Sequence, residues 1–178
     1  IRFQEQDVRG MGRTARGVRG VNLPDNVHLV SLIVPQEGHQ VLTASENGYG
    51  KRTAVEEFPT KGRAGKGMIA MAISERNGNM LGAVQVKNGE EIMLISDQGT
   101  LVRTRVDEVS VQGRNTQGVM LIRLSAGEKL VGLERIAELE GAAEADEEID
   151  GDSDAGGTTL DVDVAPGGDE TPTDEQEV

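Results

Sequence analysis

The sequence has no cysteine, which excludes disulfides and thiolate metal sites and fits a reducing compartment. Long hydrophobic runs are missing too. The longest unbroken apolar stretch is the six residues Met68 to Ile73, against about 20 needed to cross a bilayer. No charged-then-apolar leader opens the chain, so neither a secretory signal nor a membrane partner is expected, and the expected location is cytoplasmic. The first residue is Ile rather than Met, and a fragment or processed product is the expectation. Basic residues are absent from the last 42 positions, which carry 16 Asp+Glu. All 18 Lys+Arg lie between Arg2 and Arg135, beside 15 acidic residues, so the net charge of −13 averages two unlike parts. Strong core formers in residues 137–178 are limited to Leu139, Ile149, Leu160, Val162, Val164 and Val178. Such a segment cannot bury enough surface to offset its chain entropy, and its charges repel, so a disordered acidic tail is predicted. Residues 1–136 are ample for one core.

What is present is a repeat. The pattern Gly-Arg-x-x-x-Gly occurs as GRTARG from Gly12, GRAGKG from Gly62 and GRNTQG from Gly113, at intervals of 50 and 51 residues. Upstream, residues 51–63 (KRTAVEEFPTKGR) align with 102–114 (VRTRVDEVSVQGR) and more loosely with 1–13 (IRFQEQDVRGMGR), so that Arg2, Arg52 and Arg103 coincide. The segment SENGYGKRT at Ser45 matches SDQGTLVRT at Ser96. Several separate motifs recurring at one period define a structural unit. Each unit reads as strands: 29–34, 40–44, 68–73, 80–86, 91–96, 101–106, 119–124 and 130–136 are short and aliphatic or β-branched. Asn47-Gly48, Asn77-Gly78 and Asn88-Gly89 stand between them and suit the positive φ of tight turns, and Asp97-Gln98-Gly99 is a weaker signal of the same kind. No stretch before Leu133 keeps a 3.6-residue apolar period over three turns. About four strands per unit of ~50 residues predicts an all-β, propeller-like fold with about three blades, and residues 1–13 match the second half of a unit.

Catalytic groups are scarce. His28 and His39 flank a strand without a carboxylate at ligand spacing, and Tyr49 lies in a turn. GYGKRT and GKGM contain Gly-Lys but not the phosphate-loop spacing, and no helix follows. The acidic pairs at 56–57, 90–91 and 107–108 are adjacent, so on a strand they point to opposite faces and read as solvated edges. The basic residues say more. Arg13, Arg16 and Arg19, then Lys51, Arg52, Lys61, Arg63 and Lys66, then Arg103, Arg105 and Arg114 recur at equivalent places. Arranged radially, they would form a curved positive rim for a polyanion, with neighbouring glycines letting a phosphate backbone approach. An ordinary charged surface is the competing reading of the same residues.

The strings QDVRGMGRTARGVRGV (6–21), ENGYGKRTAVEEFPTKGRAGKG (46–67) and GTLVRTRVDEVSVQGRNTQGV (99–119) closely resemble the C-terminal domain of bacterial DNA gyrase A subunits, over essentially all of residues 1–136. An acidic tail is also typical of that family. The resemblance implies a β-pinwheel of six blades that exchange strands, with duplex DNA wrapped on a basic perimeter. It implies membership of an ATP-dependent type II topoisomerase of two A and two B subunits that introduces negative supercoils. No cofactor is implied for this segment; ATP and Mg²⁺ belong to the B subunit, and the cleaving tyrosine to another region of the A subunit. Tyr49 does not match the context of that tyrosine. The family's Gln-Arg-Arg-Gly-Gly-Lys-Gly box of the first blade is absent, GRAGKG being at most its echo, so the last half of the domain is expected. The related topoisomerase IV domain, and a protein-interaction propeller that ignores nucleic acid, are the other functions weighed.

Overall fold

The computed structural model describes residues 1–137; the predicted acidic tail from residue 138 onward lies outside the described residues. The fold is built from antiparallel hairpins with almost no helix. Strand β1 (Gln40–Ser45) turns at Asn47-Gly48 into β2 (Tyr49–Ala54), and β4 (Glu91–Ser96) turns at Asp97-Gln98-Gly99 into β5 (Leu101–Arg105). The turn glycines have φ of 81° at Gly48 and 84° at Gly99, values that a side chain resists. β3 (Met80–Val86) then pairs with the outer side of β1, and β7 (Leu130–Ile136) pairs in the same way with β4. The two-residue β6 (Val119–Met120) closes the first sheet against β2. The sheets therefore run β3-β1-β2-β6 and β5-β4-β7. Both inner strands even shift register at the same repeat position, between Ala44 and Ser45 and between Ile95 and Ser96.

Alternation along β4 sends Ile92 and Leu94 into the core. They join Leu42, Ala44, Val86, Val106, Val109, Ile122 and Leu130 in one buried cluster that spans both sheets. Each hairpin is followed by a single 3₁₀ turn, Val55–Glu57 after β2 and Val106–Glu108 after β5, with Glu5–Asp7 at the equivalent place in the first unit. The leading valine of the second and third turns is buried, which anchors the chain where it leaves the blade.

Five sequence expectations change. Residues 29–34 and 68–73 form no strand, and 119–124 shortens to β6. A strand needs a ladder partner, and no described strand pairs with 29–34. The segment accordingly stays exposed, Leu32 at 84%. Conversely β2, read as a turn because of its glycines, is a full strand. Gly50 is required there because a Cβ would stand 2.5 Å from the Thr43 carbonyl. Among the acidic pairs, Glu90 is buried rather than solvated: its carboxylate accepts the Lys87 N–H at 2.9 Å and faces Arg135 at 3.4 Å.

Candidate nucleic-acid interface

The three Gly-Arg-x-x-x-Gly segments are loops, and the second and third are laid over the preceding unit. The last glycine of each has a left-handed backbone, with φ of 83° at Gly17, 85° at Gly67 and 79° at Gly118. At Gly118 a Cβ would stand 2.5 Å from the Gly50 carbonyl, so this glycine also seats the loop on β2. The first glycines, Gly12, Gly62 and Gly113, need neither condition: their φ is ordinary, and a Cβ at any of them would meet nothing within 4 Å. Those positions present bare, unobstructed backbone outward.

The arginines beside the first glycines of the second and third loops work between units. The Arg63 guanidinium donates to the carbonyls of Arg19 (2.5 Å) and Asp7 (3.2 Å), and Arg114 donates to that of Ile69 (2.8 Å). Arg19 and Ile69 occupy the same repeat position. Backbone bonds repeat likewise: Asn22 N–H to the Gly65 carbonyl at 2.9 Å, and Ala72 N–H to that of Thr116 at 3.0 Å. The hexapeptide loops are thus tied in series, one unit to the next.

A second set of contacts uses the strand arginines. Arg2 donates to the carbonyls of Val55 (2.9 Å) and Phe58 (3.1 Å) in the following unit's turn. Arg52 does the same to Val109 (2.7 Å) and Asp107 (3.4 Å), steadied by Gln40 and Asn88. Lys51 is fully buried, and its ammonium donates to the carbonyls of Gly113 (2.5 Å) and Arg114. Burial first, then the nearby Arg114, pulls its pKa down from 10.5 to about 8, with Glu57 opposing. Of the eleven basic residues expected on a rim, Lys51 and Arg52 are therefore inside a seam, Arg52 being only 7% exposed, and cannot reach an external polyanion. Their repeat position was legible, their burial was not. A cation that fastens two units recurs with the same period as one that binds a ligand.

Arg13, Arg16, Arg19, Lys61, Lys66 and Arg105 are exposed. Arg63 and Arg114 are half-buried by their seam contacts, and Arg103 is exposed but paired with Glu91. Arg9 is exposed as well, and its repeat equivalents, Pro59 and Ser110, carry no charge. His28 and His39 lie at the surface or partly covered, with the His39 ring 3.1 Å from the Glu37 carbonyl. Tyr49 is half-buried, with the Arg76 guanidinium 4.8 Å from its ring centre. Among the described residues no group of three His, Cys, Asp or Glu could hold a metal ion, and no helix is long and apolar enough to cross a membrane.

The family model "DNA gyrase C-terminal domain, beta-propeller" matches residues 1–36, 39–87 and 90–137, one match per structural unit. The DNA gyrase A subunit of Pseudomonas aeruginosa is 62% identical over 146 residues, covering 82% of this chain and 16% of that protein. The DNA gyrase A subunit of Escherichia coli strain K12 is 54% identical over 159 residues, covering 84% of this chain and 18% of its own length. The chain thus spans less than a fifth of these relatives. Among solved structures, a DNA gyrase A C-terminal domain superposes with a TM-score of 0.69 at 29% identity, over 76% of this chain and 46% of that one. The C-terminal domain of DNA topoisomerase IV superposes at 0.68 with 20% identity, over 75% and 42%, a likeness of fold. Three repeat units, each carrying its own match, and relatives above half identity lead to one assignment: the chain belongs to the DNA gyrase C-terminal domain family, with its β-pinwheel fold.

Proposed function

We propose that residues 1–136 bind and bend double-stranded DNA along the line of hexapeptide loops, as the C-terminal part of a DNA gyrase A subunit. The observation that carries this reading is the serial linkage of the loops: each is tied to the next, and exposed arginines and lysines accompany them. Arg13, Arg16, Arg19, Lys61, Lys66 and Arg105 contact phosphates, and the outward glycines Gly12, Gly62 and Gly113 let the backbone come close. Arg63 and Arg114 hold the loops and offer the remaining guanidinium edge. No recognition helix is available among the described residues to read base edges, so preference among sequences comes from the ease of bending.

In the whole enzyme this segment works in the cytoplasm with the rest of the A subunit, together with the B subunit. There it supports ATP-dependent introduction of negative supercoils. On this reading ATP and Mg²⁺ belong to the B subunit and strand cleavage to another part of the gyrase A chain. Gel-shift titration of the 178-residue chain against unrelated duplexes of one length tests the reading. Similar affinity for all of them, falling steeply with salt, is expected. Absence of binding, or binding indifferent to salt, would favour a protein-interaction propeller instead.

A further inference from the structure

The sequence holds three Asn-Gly pairs, and the turn between β3 and β4 carries the one at Asn88-Gly89. Both residues are exposed, and a Cβ at Gly89 would meet nothing within 4 Å. The Asn88 side-chain carbonyl accepts the Arg52 guanidinium at 2.7 Å. On the other side, the Gly89 N–H donates to the Asp107 carboxylate at 3.2 Å. Arg52 is anchored by the Val109 carbonyl at 2.7 Å and stands 4.0 Å from Asp107. A cation therefore sits on the carbonyl oxygen while a proton acceptor sits on the amide that follows it. The other two pairs lack this arrangement. The Gly48 N–H donates to the Ser45 carbonyl at 3.0 Å and the Gly78 N–H to that of Ser74 at 2.9 Å, and a carbonyl takes up no proton. Their side-chain NH2 groups are tied down as well, Asn47 to the carbonyls of Glu75 and Arg76 (3.2 Å each), Asn77 to those of Ala72 (2.8 Å) and Gln117 (3.3 Å). Asn77 is also fully buried.

We propose that Asn88-Gly89 is a self-modifying site, at which the chain converts its own asparagine to aspartate and isoaspartate. The Gly89 nitrogen forms a bond to the Asn88 side-chain carbonyl carbon as its proton passes to the Asp107 carboxylate. Arg52 stabilises the negative charge that develops on the carbonyl oxygen, from the place it already occupies. The bond to the side-chain nitrogen then breaks, that nitrogen takes the proton from Asp107, and ammonia leaves a five-membered succinimide. Glycine allows the closure because it puts no side chain against the forming ring. One water opens the ring: at the former side-chain carbonyl it gives aspartate, at the main-chain carbonyl isoaspartate. The balance is one water consumed and one ammonia released. The product carboxylate lies against Arg52, whose guanidinium fastens the second and third units. A carboxylate fits that place, since the repeat equivalent of Asn88 is Glu37, followed by Gly38 at φ 76° against 85° at Gly89. Aspartate thus adds an ion pair to the seam, whereas isoaspartate adds a methylene to the main chain between β3 and β4.

Peptide mapping by mass spectrometry of the 178-residue chain, kept for weeks in mildly alkaline buffer at body temperature, is the test. Chromatography separates aspartate from isoaspartate at each Asn-Gly pair. A synthetic peptide of residues 84–93 supplies the rate without the fold. Asn88 is expected to convert at least about tenfold faster in the chain than in this peptide, a modest share of what a positioned proton acceptor supplies. Asn47 and Asn77 are expected to stay intact over the same time. Asp107→Asn keeps an acceptor for the Gly89 N–H but cannot take its proton, and it is expected to bring Asn88 down to the peptide's rate. The comparison of chain with peptide needs no variant, so it stands even if a substitution unfolds the chain. Conversion at Asn88 no faster than in the peptide overturns the proposal. So does conversion at Asn47 or Asn77 that matches Asn88, or a rate that Asp107→Asn leaves unchanged.

Discussion

At the scale of single residues, the seam is held by cations that have given up water. Lys51 has its folded pKa near 8 against 10.5, so the unfolded chain keeps the proton to higher pH. Between those values the unfolded state binds more protons, and this site's contribution to stability rises as pH rises from about 8 towards 10.5. Lys51→Met is expected to lack that rise in urea midpoints measured at about pH 7, 9 and 10. Near neutral pH it is also expected to cost about 2 kcal/mol, because the Gly113 and Arg114 carbonyls lose their donor. Glu128 behaves oppositely. The Ser96 hydroxyl first, then the Ser125 N–H and Thr100, hold its carboxyl down to about 2 from 4.5. Its contribution is complete above 4.5 and disappears as pH falls through that value towards 2. Glu128→Gln should therefore flatten the acid limb of the stability profile below pH 4.5. An unchanged limb would mean that Glu128 does not set it.

At the scale of elements, the hexapeptide shows why some of this architecture was legible and some was not. Gly17, Gly67 and Gly118 repeat in sequence because the backbone there is left-handed, and that requirement is local. Gly118→Ala is expected to cost about 2 kcal/mol or more, from the strained φ and the clash with Gly50. Gly113→Ala, with ordinary φ and open space, is expected to stay within about 0.5 kcal/mol of the parent in denaturant unfolding. The hairpin turns at Gly48 and Gly99 were likewise readable from Asn-Gly and Asp-Gln-Gly, since a turn declares itself within a few residues. Strand 29–34 misled because its composition is right but no described strand pairs with it. β2 misled the other way: Gly-Tyr-Gly suggests a turn until Thr43 and Leu121 are seen pressing on Gly50. Burial of Lys51 and Arg52 was equally hidden, because it depends on residues 57 to 63 positions away.

At the scale of the whole molecule, charge divides the chain into a mixed, weakly basic blade region and an acidic remainder from residue 137 onward. The carboxylates of that remainder are expected to compete with DNA phosphates for the same arginines. Truncation after residue 136 is expected to tighten duplex binding most at about 50 mM salt, with the gain shrinking as screening grows. An unchanged dissociation constant would reduce that segment to a solvated appendage. The central claim is narrower: exposed cations beside the hexapeptides grip phosphates, while the buried ones fasten units. The salt dependence of duplex binding, compared between the parent chain and Arg13→Gln/Arg16→Gln, tests it most directly. Loss of two phosphate contacts should weaken binding to every sequence alike and flatten the plot of log K against log salt by about 1.8. The same slope and affinity in both proteins would contradict the account.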